Sequence, residues 1–381
     1  MLAWIVMLSS MIAVGAAAAV CMYYVVKRTH RFHHIRKLAK THRWLSWLVS
    51  LTPVAVCAAF ASIRIVAMYV VMFHLTLFWM ICDIIAMRIQ RHRKNKRLKA
   101  RRQQDYKPAK RIRRRYTAGY FAILLTVVYL SYGWYMAHHI YITRYDIKTD
   151  KPLGQLHAVM IADCHVGLTL DGEQFAEQCR RISDLHPDIV LLPGDFVDDD
   201  TSEKDMRTAC KALGEIDAKY GVYVSHGNHD PGFFGYRSFS LDELDAELKA
   251  DGVKLLADEC DTVDGRFCII SREDKSDRER LSISDLAAEC DSGLYQIVLD
   301  HQPNDFKAEA EAGVDLVVSG HTHGGHIFPA GYFGKLMGFN DRIYGIEQRG
   351  STTFIVTSGI SGWAIPFKTG ACSEIVDIYI N

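Results

Sequence analysis

The chain begins with long apolar stretches and continues with short ones. Residues 3–26 carry no charge and are long enough to cross the ~30 Å hydrocarbon core of a membrane as a helix. The apolar stretch 45–87 is too long for one span and contains Pro53 and Arg64, which predicts two helices joined by a tight hairpin. A further apolar helix is predicted over residues 117–138. The pattern therefore predicts four membrane spans.

After residue 138 the pattern changes to short apolar runs that alternate with amphipathic segments. Strands are predicted at 141–149, 156–162, 189–192, 221–224, 267–270, 295–299 and 314–318. Helices are predicted at 173–185, 203–216 and 241–249. This alternation indicates an α/β domain with buried sheets. Two tail strands, 352–357 and 374–380, have no helix between them and suggest a second sheet packed on the first. We therefore expect a transmembrane region over 1–138 and a catalytic domain over 139–381.

The charges divide at the same place. Of the 45 Lys and Arg residues, 23 lie in residues 1–138, which contain only two acidic residues, Asp83 and Asp105; the remaining 42 acidic residues follow residue 138. The basic loops 27–44 and 88–116 fall on one side of a four-span arrangement, and the positive-inside rule places them in the cytoplasm. We therefore predict a multi-pass protein of the cell membrane whose acidic catalytic domain lies outside the cytoplasm.

This membrane interpretation has two alternatives. Residues 1–26 could be a cleaved signal peptide, because 16–19 resemble a small-residue cleavage site, but the positive n-region is missing and the charges follow the apolar run. The basic segments 91–99 and 110–115 could bind nucleic acid, but topology and attraction to anionic lipid explain them. Because phosphate backbones seek positive charge, the acidic domain is not expected to bind nucleic acid. No obligate protein partner is evident.

The ten cysteines do not form a recognisable framework. Three lie in the predicted spans, seven follow them, and no CxxC motif occurs. Cys260 and Cys268 flank an Asp264-Gly265 turn. A two-residue hairpin at that turn would point the two side chains to opposite faces. We therefore predict no disulfide between them.

Polar side chains suited to metal binding follow five of the predicted strands. These groups are Asp163-Cys164-His165, Gly194-Asp195, Gly227-Asn228-His229-Asp230, Asp300-His301 and Gly320-His321-Thr322-His323. Sites in open α/β sheets form at the carboxyl ends of the strands, so we expect these groups at one edge. In extended chain, residues two apart point the same way, so Asp163 with His165, and His321 with His323, can each reach one ion.

This mixture of ligands indicates the kind of metal. Carboxylates combined with imidazoles suit Mn, Fe or Zn better than Ca or thiolate-bound metals. Asp195 is the lone carboxylate on its strand and is well placed to bridge two ions. Two cations ~3.5–4 Å apart can activate water and clamp a phosphoryl group during in-line displacement. The sequence thus predicts a site for two divalent ions, with manganese as the first choice.

The order DxH, GD, GNHD, H and GHTH resembles the calcineurin-like metallophosphoesterase superfamily, over residues 155–380. More narrowly, the chain resembles its membrane-anchored bacterial branch, in which segments such as His301-Gln302-Pro303 and Thr357-Ser358-Gly359 are typical. The resemblance implies a four-layer αββα sandwich behind the transmembrane helices. It also implies a metal-dependent hydrolase of phosphate mono- or diesters.

The resemblance also assigns roles to individual residues. One ion would be held by Asp163, His165, Asp195 and His323, and the other by Asp195, Asn228, His301 and His321. His229 would lie above the ions as general acid or as electrostatic support for the leaving oxygen, oriented by Asp230.

Three further residues are candidates for substrate contact. His326 stands where the branch usually carries Gln, and it could touch substrate or replace a hydrogen bond. Arg272 and Lys368 could bind phosphate, with a solvated surface position as the alternative for each.

The substrate itself stays open at this point. The membrane anchor favours a phospholipid or lipid-linked pyrophosphate, which would need an apolar groove beside the metals, built from Phe233, Phe234, Tyr236, Tyr332 and Phe333. The alternatives are a hydrolase of soluble nucleotides or cell-wall phosphates, with a polar groove, and a non-catalytic membrane scaffold that binds metal without turnover.

Overall fold

The computed structural model describes residues 2–62, 64–102 and 116–381, without the side chains of 2–11, 100–102 and 330. The chain divides into two compact units, Met1–Ser131 and Tyr132–Asn381. The first unit is helical. Its helices are α1 (Leu2–Thr29), α2 (His33–Leu38), α3 (Arg43–Ser50), α4 (Thr52–Ala59), α5 (Ile65–Arg102) and the first part of α6 (Ala118–His138).

Four helical stretches in the described residues are long and apolar enough to cross a membrane. They are Ile12–Thr29, Arg43–Ser62, Ile65–Lys99 and Ala118–His138. Their number and order match the four predicted spans. The second stretch comprises α3, α4 and a 3₁₀ turn, and Pro53 lies in the first turn of α4, where a missing N–H costs no hydrogen bond.

The second basic loop is shorter than predicted. Helix α5 continues to Arg102, so residues 88–102 are helical rather than a loop. The remainder, 103–115, with Asp105 and the basic segment 110–115, lies outside the described residues. The other acidic residue of this region, Asp83, is buried and accepts a hydrogen bond from Tyr116 (2.7 Å), and it pairs with Arg28 (2.9 Å). These partners satisfy a carboxylate that would otherwise be costly in a membrane helix.

The second unit contains the end of α6, twelve strands and six further helices. The strands are β1 (Ile140–Ile147), β2 (Leu156–Met160), β3 (Ile189–Pro193), β4 (Val222–Ser225), β5 (Lys254–Leu255), β6 (Glu259–Val263), β7 (Phe267–Ser271), β8 (Tyr295–Leu299), β9 (Leu316–Ser319), β10 (Gly345–Arg349), β11 (Thr352–Val356) and β12 (Ser373–Ile380). The helices are α7 (Gly172–Ser183), α8 (Glu203–Gly214), α9 (Leu241–Ala250), α10 (Ile283–Glu289), α11 (Phe306–Ala312) and α12 (Ala330–Leu336).

The strands form two six-stranded sheets that pack face to face. Their orders are β1-β12-β2-β3-β4-β5 and β10-β11-β9-β8-β7-β6. Alternate residues of one strand face different layers: Met160 packs between the sheets with Ile297, whereas Val159 packs against helix α7 at Phe175. Helices α7, α8 and α9 cover the first sheet, and α10 and α11 cover the second. The predicted four-layer αββα architecture is therefore confirmed.

The tail strands do not build the second sheet by themselves. Strand β11 lies beside β9 in the second sheet, whereas β12 lies between β1 and β2 in the first. Both sheets are otherwise filled by strands from the middle of the domain, because βαβ crossovers place parallel neighbours side by side. Strand β1 begins two residues after α6 ends, and it pairs with β12 along its whole length.

The cysteine prediction needs two corrections. The β6–β7 hairpin has a three-residue turn, with Val263 opposite Phe267, so Cys260 and Cys268 point to the same face rather than to opposite faces. Cys260 and Cys268 are nevertheless not bonded to each other. Cys268 forms a disulfide with Cys290 at the end of α10, and Cys260 keeps a free thiol. The sulfurs of all three lie within 4.8 Å of one another.

Arg272 lies at the end of β7 in a buried ion-pair cluster. Its guanidinium lies 2.7 Å from Asp300 and 3.0 Å from Asp305, and only 3% of its side chain is exposed. It is therefore neither a solvated surface residue nor free to bind a phosphate, so the prediction of a substrate contact at Arg272 is wrong. Its role is to compensate carboxylates that are buried beside β8.

Replacing Arg272 with Met should lower the free energy of unfolding by about 3–5 kcal/mol, because the change removes the guanidinium from buried Asp300 and buried Glu309 and leaves only Arg280 beside Asp300. Thermal unfolding of the full chain in detergent measures the effect. Lys307→Met is the matched control, since its pair with Glu311 is solvent-exposed and contributes little. Equal melting temperatures for both variants would contradict a structural role for Arg272.

Candidate metal centre

The seven predicted metal ligands converge at the carboxyl ends of five central strands. Asp163 and His165 follow β2, Asp195 follows β3, Asn228 follows β4, His301 follows β8, and His321 and His323 follow β9. Because β2–β4 and β7–β9 are parallel within their sheets, their ends open on the same side. Two facing sheets thus deliver ligands from both sides of one crevice.

The first group of ligands consists of Asp163, His165 and His323. Their donor atoms lie within 4.8 Å of one another, and all three residues are buried. Nε2 of His165 lies 3.2 Å from Nε2 of His323, and the latter lies 3.8 Å from Oδ1 of Asp163. The nitrogens therefore point at a common centre.

The second group consists of Asp195, His301 and His321, whose donor atoms also lie within 4.8 Å of one another. Asn228 joins this group, since its Oδ1 lies 2.8 Å from Nδ1 of His321. Oδ2 of Asp195 lies 3.1 Å from Nε2 of His301 and 3.6 Å from Nε2 of His165. One carboxylate oxygen therefore faces both groups, which is the position a bridging ligand needs.

Burial keeps three of the imidazoles neutral. It lowers the pKa of His165 to about 3 and that of His321 to about 4, and it lowers the pKa of His323 well below the ordinary value. Burial also lowers the pKa of His301, but the adjacent Asp195 carboxylate outweighs it and raises that pKa well above the ordinary value. Neutral rings offer lone pairs to a cation, and His301 must release its proton when a cation binds.

This arrangement fits a pair of divalent ions. Oδ2 of Asp163 is buried and has no hydrogen-bond partner among the described residues. An unpaired buried oxygen costs about 1–3 kcal/mol or more, and a cation would use this oxygen together with the lone pairs of the neutral His165 and His323 rings. Carboxylate, amide and imidazole donors suit first-row divalent cations. The chemistry of the donor set thus fits the metals implied by the sequence.

The backbone at the site is held in a rare conformation. Five of the seven predicted ligands have positive φ angles: Asp163 (51°), His165 (38°), Asp195 (54°), His321 (68°) and His323 (48°). Such angles in residues other than glycine cost on the order of 1–3 kcal/mol each and persist only where the surroundings impose them. Their concentration at one crevice marks it as a functional site.

Two glycines allow the chain segments to approach closely. A Cβ on Gly227 would lie 2.3 Å from Oδ1 of Asp195, and a Cβ on Gly359 would lie 2.6 Å from Cβ of Asp163. Since real contacts are never so short, only glycine lets the GNHD turn and the loop after β11 reach the ligands.

Asp230 holds the backbone around the site, and its orientation of the His229 ring stays a prediction. Its buried carboxylate accepts hydrogen bonds from the backbone N–H groups of Asp195 (3.0 Å), Phe196 (2.9 Å), Val197 (3.0 Å) and Gly227 (2.7 Å). These four donors occupy both of its oxygens. Asp230 thereby ties the Asp195 loop to the GNHD turn and positions the shared carboxylate.

His229 lies beside the two groups without joining either. Its backbone N–H donates to Oδ1 of Asp195 (2.8 Å), and its ring meets the His165 ring edge-on at 5.1 Å. The other neighbours of the ring are Phe233 at 4.9 Å and Trp363 at 5.3 Å. Trp363 was not predicted, because nothing in its local sequence connects it with the strand-end motifs.

Further contacts orient the ligands from outside. Nδ1 of His301 lies 2.9 Å from the Pro193 carbonyl, and Nδ1 of His323 lies 3.3 Å from the Ser361 carbonyl. Each contact lets the ring donate through Nδ1 and direct Nε2 inward. Lys368, expected at the surface or on a phosphate, is fully buried and donates to the carbonyls of Ser358 (2.5 Å) and Ser361 (3.2 Å). It holds the loop that orients His323.

His326 remains close to the site. Its ring stacks on that of His323 with centroids 5.2 Å apart, and its Nε2 is buried without a hydrogen-bond partner among the described residues. The ring therefore adjoins the first group of ligands but is not part of it.

Comparison with known proteins agrees with this geometry. Residues 156–325 match the family model of the calcineurin-like phosphoesterases. The chain is 30% identical over 237 residues to an uncharacterized metallophosphoesterase of Campylobacter jejuni, covering 61% of this chain and 60% of that protein. It is 26% identical over 279 residues to a transmembrane protein with a metallophosphoesterase domain from Danio rerio, covering 68% of this chain and 62% of that protein.

A third relative is matched over almost its whole length. An uncharacterized metallophosphoesterase of Aquifex aeolicus is 29% identical over 270 residues, which cover 68% of this chain and 98% of that protein. The alignments thus span about three fifths of the length of the first two relatives and almost all of the third. The predicted resemblance is confirmed, since residues 156–325 match the calcineurin-like phosphoesterase model.

Divalent metal should stabilise the folded chain, because it satisfies buried ligands that the unfolded chain does not assemble. Metal-stripped protein should therefore melt at a lower temperature than protein with added Mn²⁺, by the equivalent of about 2.7 kcal/mol at a hundredfold excess over Kd. Differential scanning fluorimetry with and without a chelator measures the difference. Asp163→Asn should lose most of the gain, whereas the surface variant Asp217→Asn should keep it. A gain of equal size in both variants would place the bound metal elsewhere.

Proposed function

We propose that this chain is a membrane-anchored phosphoesterase that hydrolyses phosphate mono- or diesters with two divalent ions, manganese first among them. The observation that carries the proposal is the pair of ligand groups that meet at Oδ2 of Asp195, 3.1 Å from His301 and 3.6 Å from His165. A site for two ions with a shared carboxylate suits in-line displacement at phosphorus.

Each ligand group would hold one ion. Asp163, His165 and His323 would hold the first, Asn228, His301 and His321 the second, and Asp195 would belong to both. When bound, divalent ions supply Lewis-acid polarisation of the phosphoryl group and lower the pKa of water. The residues themselves fix the separation of the ions, because the Asp195 loop is tied by Asp230 to the GNHD turn.

His229 would protonate or stabilise the leaving oxygen. Its ring lies against the first ligand group but outside it, so it can hold a proton that a metal-bound imidazole could not supply. Contacts with Phe233 and Trp363 restrict the ring to the mouth of the crevice. No other imidazole among the described residues has this position beside the ligands and between two exposed aromatic rings.

An amphiphilic phosphoester is the substrate class that we favour. Phe233, Phe234 and Tyr236 are exposed on the loop after His229, and Trp363 is exposed on its other side. These exposed aromatic rings beside His229 suit an apolar substituent of the substrate better than the sugar and base of a soluble nucleotide. Soluble nucleotides, cell-wall phosphates and a scaffold without turnover remain the alternatives that an activity screen separates.

The catalytic domain would lie outside the cytoplasm, anchored by the multi-pass helical unit. Support comes from the basic residues of 27–44 and 88–102, which precede even-numbered crossings and favour the cytoplasmic side.

The full chain, purified in detergent and supplied with Mn²⁺, should hydrolyse a generic aryl phosphodiester or monoester. A chelator should abolish the activity, and a panel of phospholipids, pyrophosphates and nucleotides should show preference for the lipid substrates. The release of aryl alcohol or phosphate measures turnover. Absence of hydrolysis with every divalent metal tested would leave only the scaffold alternative.

Two substitutions separate metal binding from proton transfer. His229→Asn should retain both ions and lose about 10²–10⁴-fold in kcat, as expected for removal of a general acid. Asp195→Asn should lose metal, because it removes the shared carboxylate. Elemental analysis of the purified variants, alongside kcat, tests the division of roles. Equal loss of metal in both would refute it.

A further inference from the structure

A second apolar surface lies next to the metal centre. Six large side chains in and around helix α12 are exposed, from 54% for Phe328 to 81% for Leu336. We call this surface the α12 patch. Its members are Phe328, Tyr332, Phe333, Leu336, Met337 and Phe339. Soluble surfaces seldom leave so many neighbouring large apolar groups in water, so the patch needs a partner.

The end of helix α6 indicates where the membrane boundary lies. Tyr132, Trp134 and Tyr135 are about half exposed in the last two turns of this apolar helix. Tyr and Trp concentrate at membrane–water interfaces, where their rings suit the headgroup level. We therefore take these three rings as the boundary, within the same compact unit as the metal centre.

The loop before β12 packs on α6 at this level. The backbone N–H of Lys368 donates to the carbonyl of Gly133 (2.9 Å). A Cβ on Gly133 would lie 2.6 Å from Cγ2 of Thr369, so the approach requires glycine. The segment Lys368–Thr369 therefore lies at the height of the aromatic rings.

The same segment holds the start of the α12 patch. The N–H of Thr369 donates to the carbonyl of His326 (2.8 Å), and Oγ1 of Thr369 accepts a hydrogen bond from the N–H of Phe328 (3.0 Å). One of these hydrogen bonds is made by Phe328 of the patch, and the other by His326, two residues before it. The start of the patch is therefore linked, through Thr369, to the segment that packs on the aromatic end of α6.

The patch also adjoins the ligands. Helix α12 starts beside the GHTHGGH loop, since a Cβ on Gly331 would lie only 2.1 Å from Cα of Gly325. His326, one residue further, stacks on His323 of the first ligand group. Lys335 is the only charged residue between 328 and 339, and its charge suits anionic headgroups.

We propose that the α12 patch inserts into the headgroup layer of the bilayer in which the chain is anchored. The insertion would place the metal crevice next to phosphoesters carried by membrane lipids. The partner is the lipid surface, because the patch is continuous with the interfacial end of a spanning helix. The assignment of lipid phosphoesters as substrates rests on the proposed hydrolase function, whereas the insertion does not.

Leu281 offers a matched control position. It is an exposed leucine of the same unit, but its N–H is bonded to Asp258, next to β6. Strand β6 forms one edge of the second sheet, and β10 forms the opposite edge. The β10 edge is the one near α6, because Tyr344, which precedes β10, is bonded to Glu374 of β12, and β12 lies beside β1. Leu281 therefore lies at the edge far from the end of α6.

The test is photo-crosslinking of the full chain in its native membrane, with p-benzoylphenylalanine at position 336 or 281. Lipid adducts, detected by mass spectrometry, should be at least about tenfold more abundant at position 336, as expected for a group at the depth of the acyl boundary. Cooperative thermal unfolding of both proteins verifies that they are folded. Equal lipid labelling at the two positions would overturn the proposal. Predominant protein adducts at position 336 would also overturn it, since they would identify a protein interface.

The same experiment in the Asp195→Asn background separates insertion from hydrolysis. Lipid adducts at position 336 should persist there, because the patch does not depend on the metal ligands. Loss of the adducts together with activity would contradict an independent lipid-binding surface. In the chain with Asp195 intact, failure of hydrolysis with adducts retained would overturn the hydrolase and leave the membrane surface in place.

Discussion

The second unit is organised around one carboxylate, Asp195, which lies between two groups of buried imidazoles. Its oxygen faces His301 and His165 from opposite groups. Placing it there requires a positive φ angle, a glycine opposite, and four backbone donors fixed by Asp230. Bound cations would compensate this concentration of buried charge and strain, which otherwise lowers the stability of the fold.

Much of the fold could be predicted from the sequence, because continuous apolar runs such as β3 and β8 predict buried strands irrespective of their neighbours. Two of the strands that were missed have a common cause. Strand β10 is an edge strand with alternating exposure, and β5 has only two residues, so neither has an apolar run. Partition of the tail strands between the sheets depends on pairing over long separations, which local patterns do not contain.

The candidate site also has a part that the sequence predicts and a part that it does not. All seven expected ligands follow strand ends, and the geometry of parallel strands brings them to one edge of the sheets. The surrounding contacts could not be predicted: Trp363 reaches His229 from a distant loop, Lys368 is buried under the carbonyls of that loop, and Arg272 is taken up by carboxylates. The Cys268–Cys290 disulfide likewise depends on where α10 ends, and on a hairpin turn one residue longer than assumed.

The shared position of Asp195 can be tested most directly by electron paramagnetic resonance of the full chain loaded with two equivalents of Mn²⁺. Two ions about 3.5–4 Å apart with a bridging carboxylate should give an exchange-coupled dinuclear spectrum. Only the signal of isolated, mononuclear manganese at full loading would show that the two ligand groups do not form one centre, and would contradict this account.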